Sequence, residues 1–105
     1  MTHEEVMAVM EKIGLPYAYH HFAEGESPDP PFLVFLYPKS NNFSADGKVY
    51  HKINCLNVEL YTDVKNIELE QKIEAMFDGH GIFYGKSEVW IESENLYEVL
   101  YQMEV

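Results

Sequence analysis

Val6, Val9, Met10 and Ile13 fall at i, i+3, i+4 and i+7, the spacing of one apolar face on an amphipathic helix. The ends of that segment carry matching signals. Thr2 and Glu5 have capping-box spacing, Gly14 suits a left-handed C-terminal position, and Pro16 bars continuation. A second helical stripe, Leu69, Ile73, Met76 and Phe77, follows Asn66 as N-cap, with Glu68 and Glu70 in the first turn and Gly79 or Gly81 as the stop.

Elsewhere the period changes to two or vanishes. Tyr17 to Phe22 is aromatic-rich and predicts a first strand, followed by a turn-rich connection through Pro28, Pro30 and Pro31. Phe32 to Tyr37 is continuously apolar, which predicts a strand covered on both faces. A third strand is expected from about Val49 to Thr62. In its second half Leu56, Val58 and Leu60 alternate with Asn57, Glu59 and Tyr61. Two more strands, Ile82 to Glu92 and Tyr97 to Val105, flank Ser93-Glu94-Asn95-Leu96. In the last one Tyr97, Val99, Tyr101, Met103 and Val105 alternate with Glu98, Leu100, Gln102 and Glu104, a half-buried antiparallel pattern. The expected order is helix, three strands, helix, two strands. That order predicts one α+β domain over residues 1–105, with a mixed, mainly antiparallel sheet and both helices on one face. Between Tyr37 and the third strand, residues 38–48 are polar and turn-prone around Asp46-Gly47, and Phe43 stands alone among polar neighbours. This stretch predicts a projecting loop or arm.

Composition narrows the functional classes. The chain has 105 residues, enough for one core. A hydrophobic content of 47% sets it apart from disordered chains despite a net charge of −11. All seven basic residues are lysine against eighteen acids, so no guanidinium fork is present and the overall field repels a polyanion. Sequence-specific nucleic-acid binding is therefore not expected. A single cysteine, Cys55, allows no intramolecular disulfide. The first residues are acidic where a signal peptide is basic, and the longest apolar run is too short to span a bilayer. These features predict a soluble protein of a reducing compartment with no membrane partner.

The chemistry-bearing residues form no convincing site. His20 and His21 are adjacent on the expected first strand, so alternation points them to opposite faces and they are not expected to share one ion. A metal site from one of them with His51 and Cys55 lacks an evident third ligand of the right type, and surface histidines are the plainer reading. Cys55 beside His51 lacks an orienting third group and an oxyanion cradle, so it reads as a small buried hydrophobe. Glu68/Glu70 and Glu92/Glu94 read as solvated acids, and Gly79-His80-Gly81 follows a helix instead of opening one. No catalytic, cofactor-binding or metal-binding residues are expected, and no enzyme.

Charge distribution says more. Five acids and no base follow Lys86, whereas Tyr37 to Lys52 holds Lys39, Lys48 and Lys52 against Asp46 alone. A basic arm on an acidic body suits a head-to-tail contact between copies, and such contacts close into rings where the rotation allows. An ordinary hairpin loop is the alternative. The candidate interface residues are Lys39, Asn41, Asn42, Phe43, Lys48 and Lys52.

Three stretches carry a family resemblance: Tyr19-His20-His21-Phe22-Ala23-Glu24-Gly25-Glu26 to Phe32; Tyr37-Pro38-Lys39-Ser40-Asn41-Asn42-Phe43 with Ala45-Asp46-Gly47-Lys48; and Val58-Glu59-Leu60-Tyr61-Thr62-Asp63 to Leu69-Glu70. With the closing Tyr97-Glu98-Val99-Leu100-Tyr101 and Met103-Glu104-Val105, the chain resembles small tail terminator (tail completion) proteins of long-tailed bacteriophages and prophages. The resemblance implies a structural virion protein assembled in the host bacterial cytoplasm. Its partners would be copies of itself in a six-membered ring, the tail tube protein, and a head-completion or neck protein. It implies no catalytic residues. An acidic inner wall would let DNA slide through such a ring. A head–tail connector of similar body and a small acidic protein-interaction module are the alternatives.

Overall fold

The computed structural model describes residues 1–45 and 47–105, with the side chains of all of these except 43–45 and 48–51. Helix α1 spans His3–Ile13. Strands β1 (Tyr17–Tyr19), β2 (Phe32–Leu36), β3 (Phe43–Ala45), β4 (Lys48–His51) and β5 (Cys55–Thr62) follow. Helix α2 (Ile67–Gly79) and strands β6 (Tyr84–Ile91) and β7 (Leu96–Glu104) complete the chain. The main sheet has the order β1-β2-β5-β7-β6; β1 runs parallel to β2, and the remaining pairs are antiparallel. The fold is α+β.

Both helices start where the capping residues place them. The Glu5 amide donates to Thr2 Oγ1 at 3.1 Å and the Thr2 amide donates to Glu5 Oε1 at 3.2 Å. Asn66 Oδ1 accepts from the Leu69 amide at 3.0 Å. Gly14 closes α1 at φ 82°, a left-handed position that an L side chain rarely adopts. Val6, Val9, Met10 and Ile13 from α1 and Ile73 and Phe77 from α2 meet the inward residues of β2, β5 and β7. Leu33, Phe35, Leu56, Val58, Leu60, Val99 and Tyr101 line that side of the sheet, almost fully buried. Period two in the sequence thus becomes one inward face, as expected for β5 and β7.

Five expectations need correction. Strand β1 stops at Tyr19, because the backbone turns to positive φ at His20. The strand expected from Val49 to Thr62 is two strands, β4 and β5, interrupted at residues 52–54. Five strands therefore precede α2, not three. The polar segment 38–48 contains β3, which pairs only with β4, with a register shift between Phe43 and Ser44. On α2 the buried set is Glu70, Ile73 and Phe77, while Leu69 and Met76 are only partly covered. Glu70 is no solvated acid: its side chain is 2% exposed between Lys65 and Lys86.

The β3–β4 hairpin stands out from the body. The radius of gyration is 15.0 Å and the extents are 49 × 30 × 23 Å, whereas a compact domain of this length has a radius near about 13 Å. One buried polar atom at the end of β5 lacks a partner among the described residues, Thr62 Oγ1. Thr62→Val keeps the shape and removes that orphan, so the urea midpoint should rise by the equivalent of about 1 kcal/mol. A fall would show that the hydroxyl is satisfied in solution.

Candidate functional site

The helices cover one face of the sheet. On the other, β2 presents Phe32, Val34 and Leu36, β5 presents Asn57, Glu59 and Tyr61, and β7 presents Glu98, Leu100, Gln102 and Glu104. The connection after β1 shields the β2 end of this face, where the Phe22 ring stands edge-on to Phe32 at 5.4 Å and Tyr61 stacks on Phe32 at 5.1 Å. Towards β7 and β6 no element lies over it among the described residues. Leu36, Leu96 and Leu100 there stay half-buried, and Val89 is 53% exposed.

This face carries carboxylates and, among the described residues, no lysine. Three lysines of the body, Lys65, Lys72 and Lys86, are used on the helical side. Lys86 bonds Glu70 and Glu74, each at 2.8 Å; Lys65 bonds Glu70 at 2.6 Å and also Glu88; and Lys72 donates to the Ile13 carbonyl. With no such partner, Glu98 is pushed above the usual carboxylate range by burial and by the neighbouring Glu59. Burial raises Tyr61 as well, and its hydroxyl donates to Glu59 at 3.1 Å. The uncovered face is therefore apolar at its margins and negative at its centre.

The root of the hairpin borders this face. The Cys55 amide donates to the Lys39 carbonyl at 2.9 Å, the Asn41 amide donates to the Ile53 carbonyl at 2.8 Å, and Ser40 bridges Asn54. Asn41 Nδ2 donates to Glu104 Oε1 at 2.8 Å. Asn41, one of the candidate interface residues, is exposed and fastens the hairpin to its own β7. Lys39, Asn42 and Lys52 are exposed at the root, whereas the side chains of Phe43, Lys48 and His51 lie outside the described residues. A cleft of about 670 Å³ opens beside the root between Lys39, Asn57, Gln102, Glu104 and the α2–β6 connection, where Phe83 is 92% exposed.

Two further expectations change at the residues thought able to carry chemistry. Cys55 is the first residue of β5, buried and free; residues 52–54 interrupt the single strand expected to hold both it and His51. His20 and His21 do not diverge. Because β1 ends before them, their rings meet, with the two Nδ1 atoms 2.9 Å apart. Among the described residues no group of three His, Cys, Asp or Glu side chains is placed to hold a metal ion, and no helix is long and apolar enough to cross a membrane. Glu70, Phe83 and the joined histidines are the features that sequence reasoning missed. Phe83 fell inside the strand expected from Ile82, whereas β6 begins only at Tyr84. No protein-family model matches this chain, and no curated protein matches it either.

Proposed function

We propose that the chain is a structural protein of a bacteriophage or prophage tail. In this reading its copies form a ring, six-membered by the family resemblance, that caps the tail tube and joins it to the head or neck. The observation that supports the reading is the pairing of two unlike surfaces on one chain. A hairpin rooted between Lys39 and Lys52 projects from the body, and a sheet face free of lysine among the described residues presents Glu59, Glu98 and Glu104. Complementary surfaces on different parts of a chain join copies head to tail, and closure of such contacts gives rings. A subunit with net charge −11 needs screening before copies approach, so divalent cations should promote assembly.

The test is solution mass by light scattering across protein concentration, with and without Mg²⁺ and with a tail tube protein as template. A discrete hexamer-sized species is expected. Lys39→Glu, Lys48→Glu and Lys52→Glu together should lower the assembled fraction at least tenfold and leave the unfolding midpoint of the subunit in place. Undiminished assembly of that triple variant would remove the hairpin from the contact. A monomer under every condition, template included, would favour the acidic interaction module.

A further inference from the structure

At the end of β1 the chain makes a three-residue turn. The His21 amide donates to the Tyr19 carbonyl at 2.7 Å, and His20 between them has φ 67°. A hydrogen bond from i+2 to i across a residue of positive φ defines the rarer and more strained γ-turn. Left-handed φ is uncommon for any side chain other than glycine. The turn is tied down all the same, because the His20 amide continues the ladder to β2 by donating to the Phe35 carbonyl at 2.8 Å. Strain of this kind persists only where the surroundings over-determine it, and it gathers at ligand-holding positions.

Its consequence is that strand alternation fails between two consecutive histidines. The rings stand perpendicular, 88° between planes and 5.1 Å between centroids, with Nδ1 facing Nδ1 at 2.9 Å. Both side chains are exposed and line a cleft of about 370 Å³ that also takes in Phe22, Tyr61 and Glu94. Between neutral rings a single proton fills the gap, one nitrogen donating and the other accepting. A metal ion can take that proton's place. Metal–imidazole bonds run about 2.0–2.1 Å, so two nitrogens 2.9 Å apart subtend about 90° at the ion. A tetrahedral ion with the same bonds would need them about 3.3–3.4 Å apart. The spacing therefore suits the right angle of a square-planar or octahedral centre, and imidazole donors in tetragonal geometry favour Cu²⁺ and Ni²⁺ over Zn²⁺.

We propose that His20 and His21 form a chelating site for a tetragonal divalent transition-metal ion, Ni²⁺ or Cu²⁺, presented by the γ-turn at the end of β1. Water fills the positions the two rings leave open.

The test is calorimetric titration of the folded chain with Ni²⁺ alone, in a His3→Ala background that removes another exposed histidine. One ion per chain is expected, with Zn²⁺ at least tenfold weaker. His20→Gly is the decisive variant, since glycine accepts the positive φ, keeps the turn and deletes one ligand. It should melt no lower than the parent and bind Ni²⁺ at least tenfold more weakly, as should His21→Ala. His80→Ala should bind as the parent does. Absence of saturable Ni²⁺ binding, or binding that survives His20→Gly and His21→Ala, would overturn the proposal. So would Zn²⁺ bound as tightly as Ni²⁺, which would remove the right-angle geometry.

Discussion

Replacing Glu70 with alanine should destabilise the fold by about 3 kcal/mol, a large share of the roughly 5–15 kcal/mol that holds a domain of this kind together. Glu70 sits in the first turn of α2 with its side chain 2% exposed, and both carboxylate oxygens are engaged. Oε2 meets Lys65 at 2.6 Å and Oε1 meets Lys86 at 2.8 Å. Lys86 goes on to Glu74 at 2.8 Å, and the Tyr101 hydroxyl donates to the same Glu74 oxygen at 2.7 Å. The network thus joins α2 to the edge strand β6 and to the inward face of β7. Removing one member of a buried pair costs about 3–5 kcal/mol because the other charge is stranded. Here the lysine side chains are 36% and 37% exposed and can rehydrate, which places the loss at the low end. Urea unfolding measures it. A loss below about 1 kcal/mol would mean that the network is only a surface feature.

The same residue fixes the acid side of the stability profile. Burial pushes the Glu70 carboxyl up, but the hydrogen bonds and charges of Lys65 and Lys86 outweigh that and hold it below its ordinary value of 4.5. A depressed folded value means stability that is complete above pH 4.5 and is lost as pH falls through the lower value. Glu98 acts with the opposite sign. Its folded value lies above 4.5, so the native state takes up that proton first and gains stability as pH falls through that value to 4.5. Stability should therefore peak in mild acid. Glu98→Gln should flatten the rise towards the peak, and Glu70→Ala should flatten the fall below it.

What could be read from the sequence was what is decided locally. Thr2 with Glu5, Asn66 with Leu69, and Gly14 before Pro16 act within a turn of themselves, and both helices begin where those residues require. The inward faces of β5 and β7 were legible because burial on one side enforces period two. The candidate site was less legible, since its features depend on distant partners or on dihedral angles. Asn41 binds Glu104 across 63 positions, and Glu70 is paired by Lys86, brought to it by the distant β6, as well as by the nearby Lys65. A positive φ at a histidine has no sequence signature, so the expected strand ran three residues beyond the point where β1 stops.

Phe77 and Phe83 are the same residue type close together in the chain, and they should give opposite results when truncated. Phe77 is fully buried on α2, with its ring 5.5 Å from both Tyr84 and Tyr101, which lie 5.7 Å from each other. Phe77→Ala deletes one of three mutually packed rings and leaves a cavity that α2, pinned to β6 through Glu70 and Glu74, cannot readily close. A loss of about 3–5 kcal/mol is expected, which lowers the melting temperature by more than about 10 °C. Phe83, 92% exposed after the helix stop, contributes almost nothing to folding, and Phe83→Ser should stay within about 0.5 kcal/mol of the parent. A large apolar ring kept in water beside the cleft at the hairpin root is a cost to solubility with no return in the isolated subunit. If Phe83 serves assembly, Phe83→Ser should leave unfolding unchanged and lower the assembled fraction in the light-scattering experiment. Loss of subunit stability would instead place the ring inside the folded core.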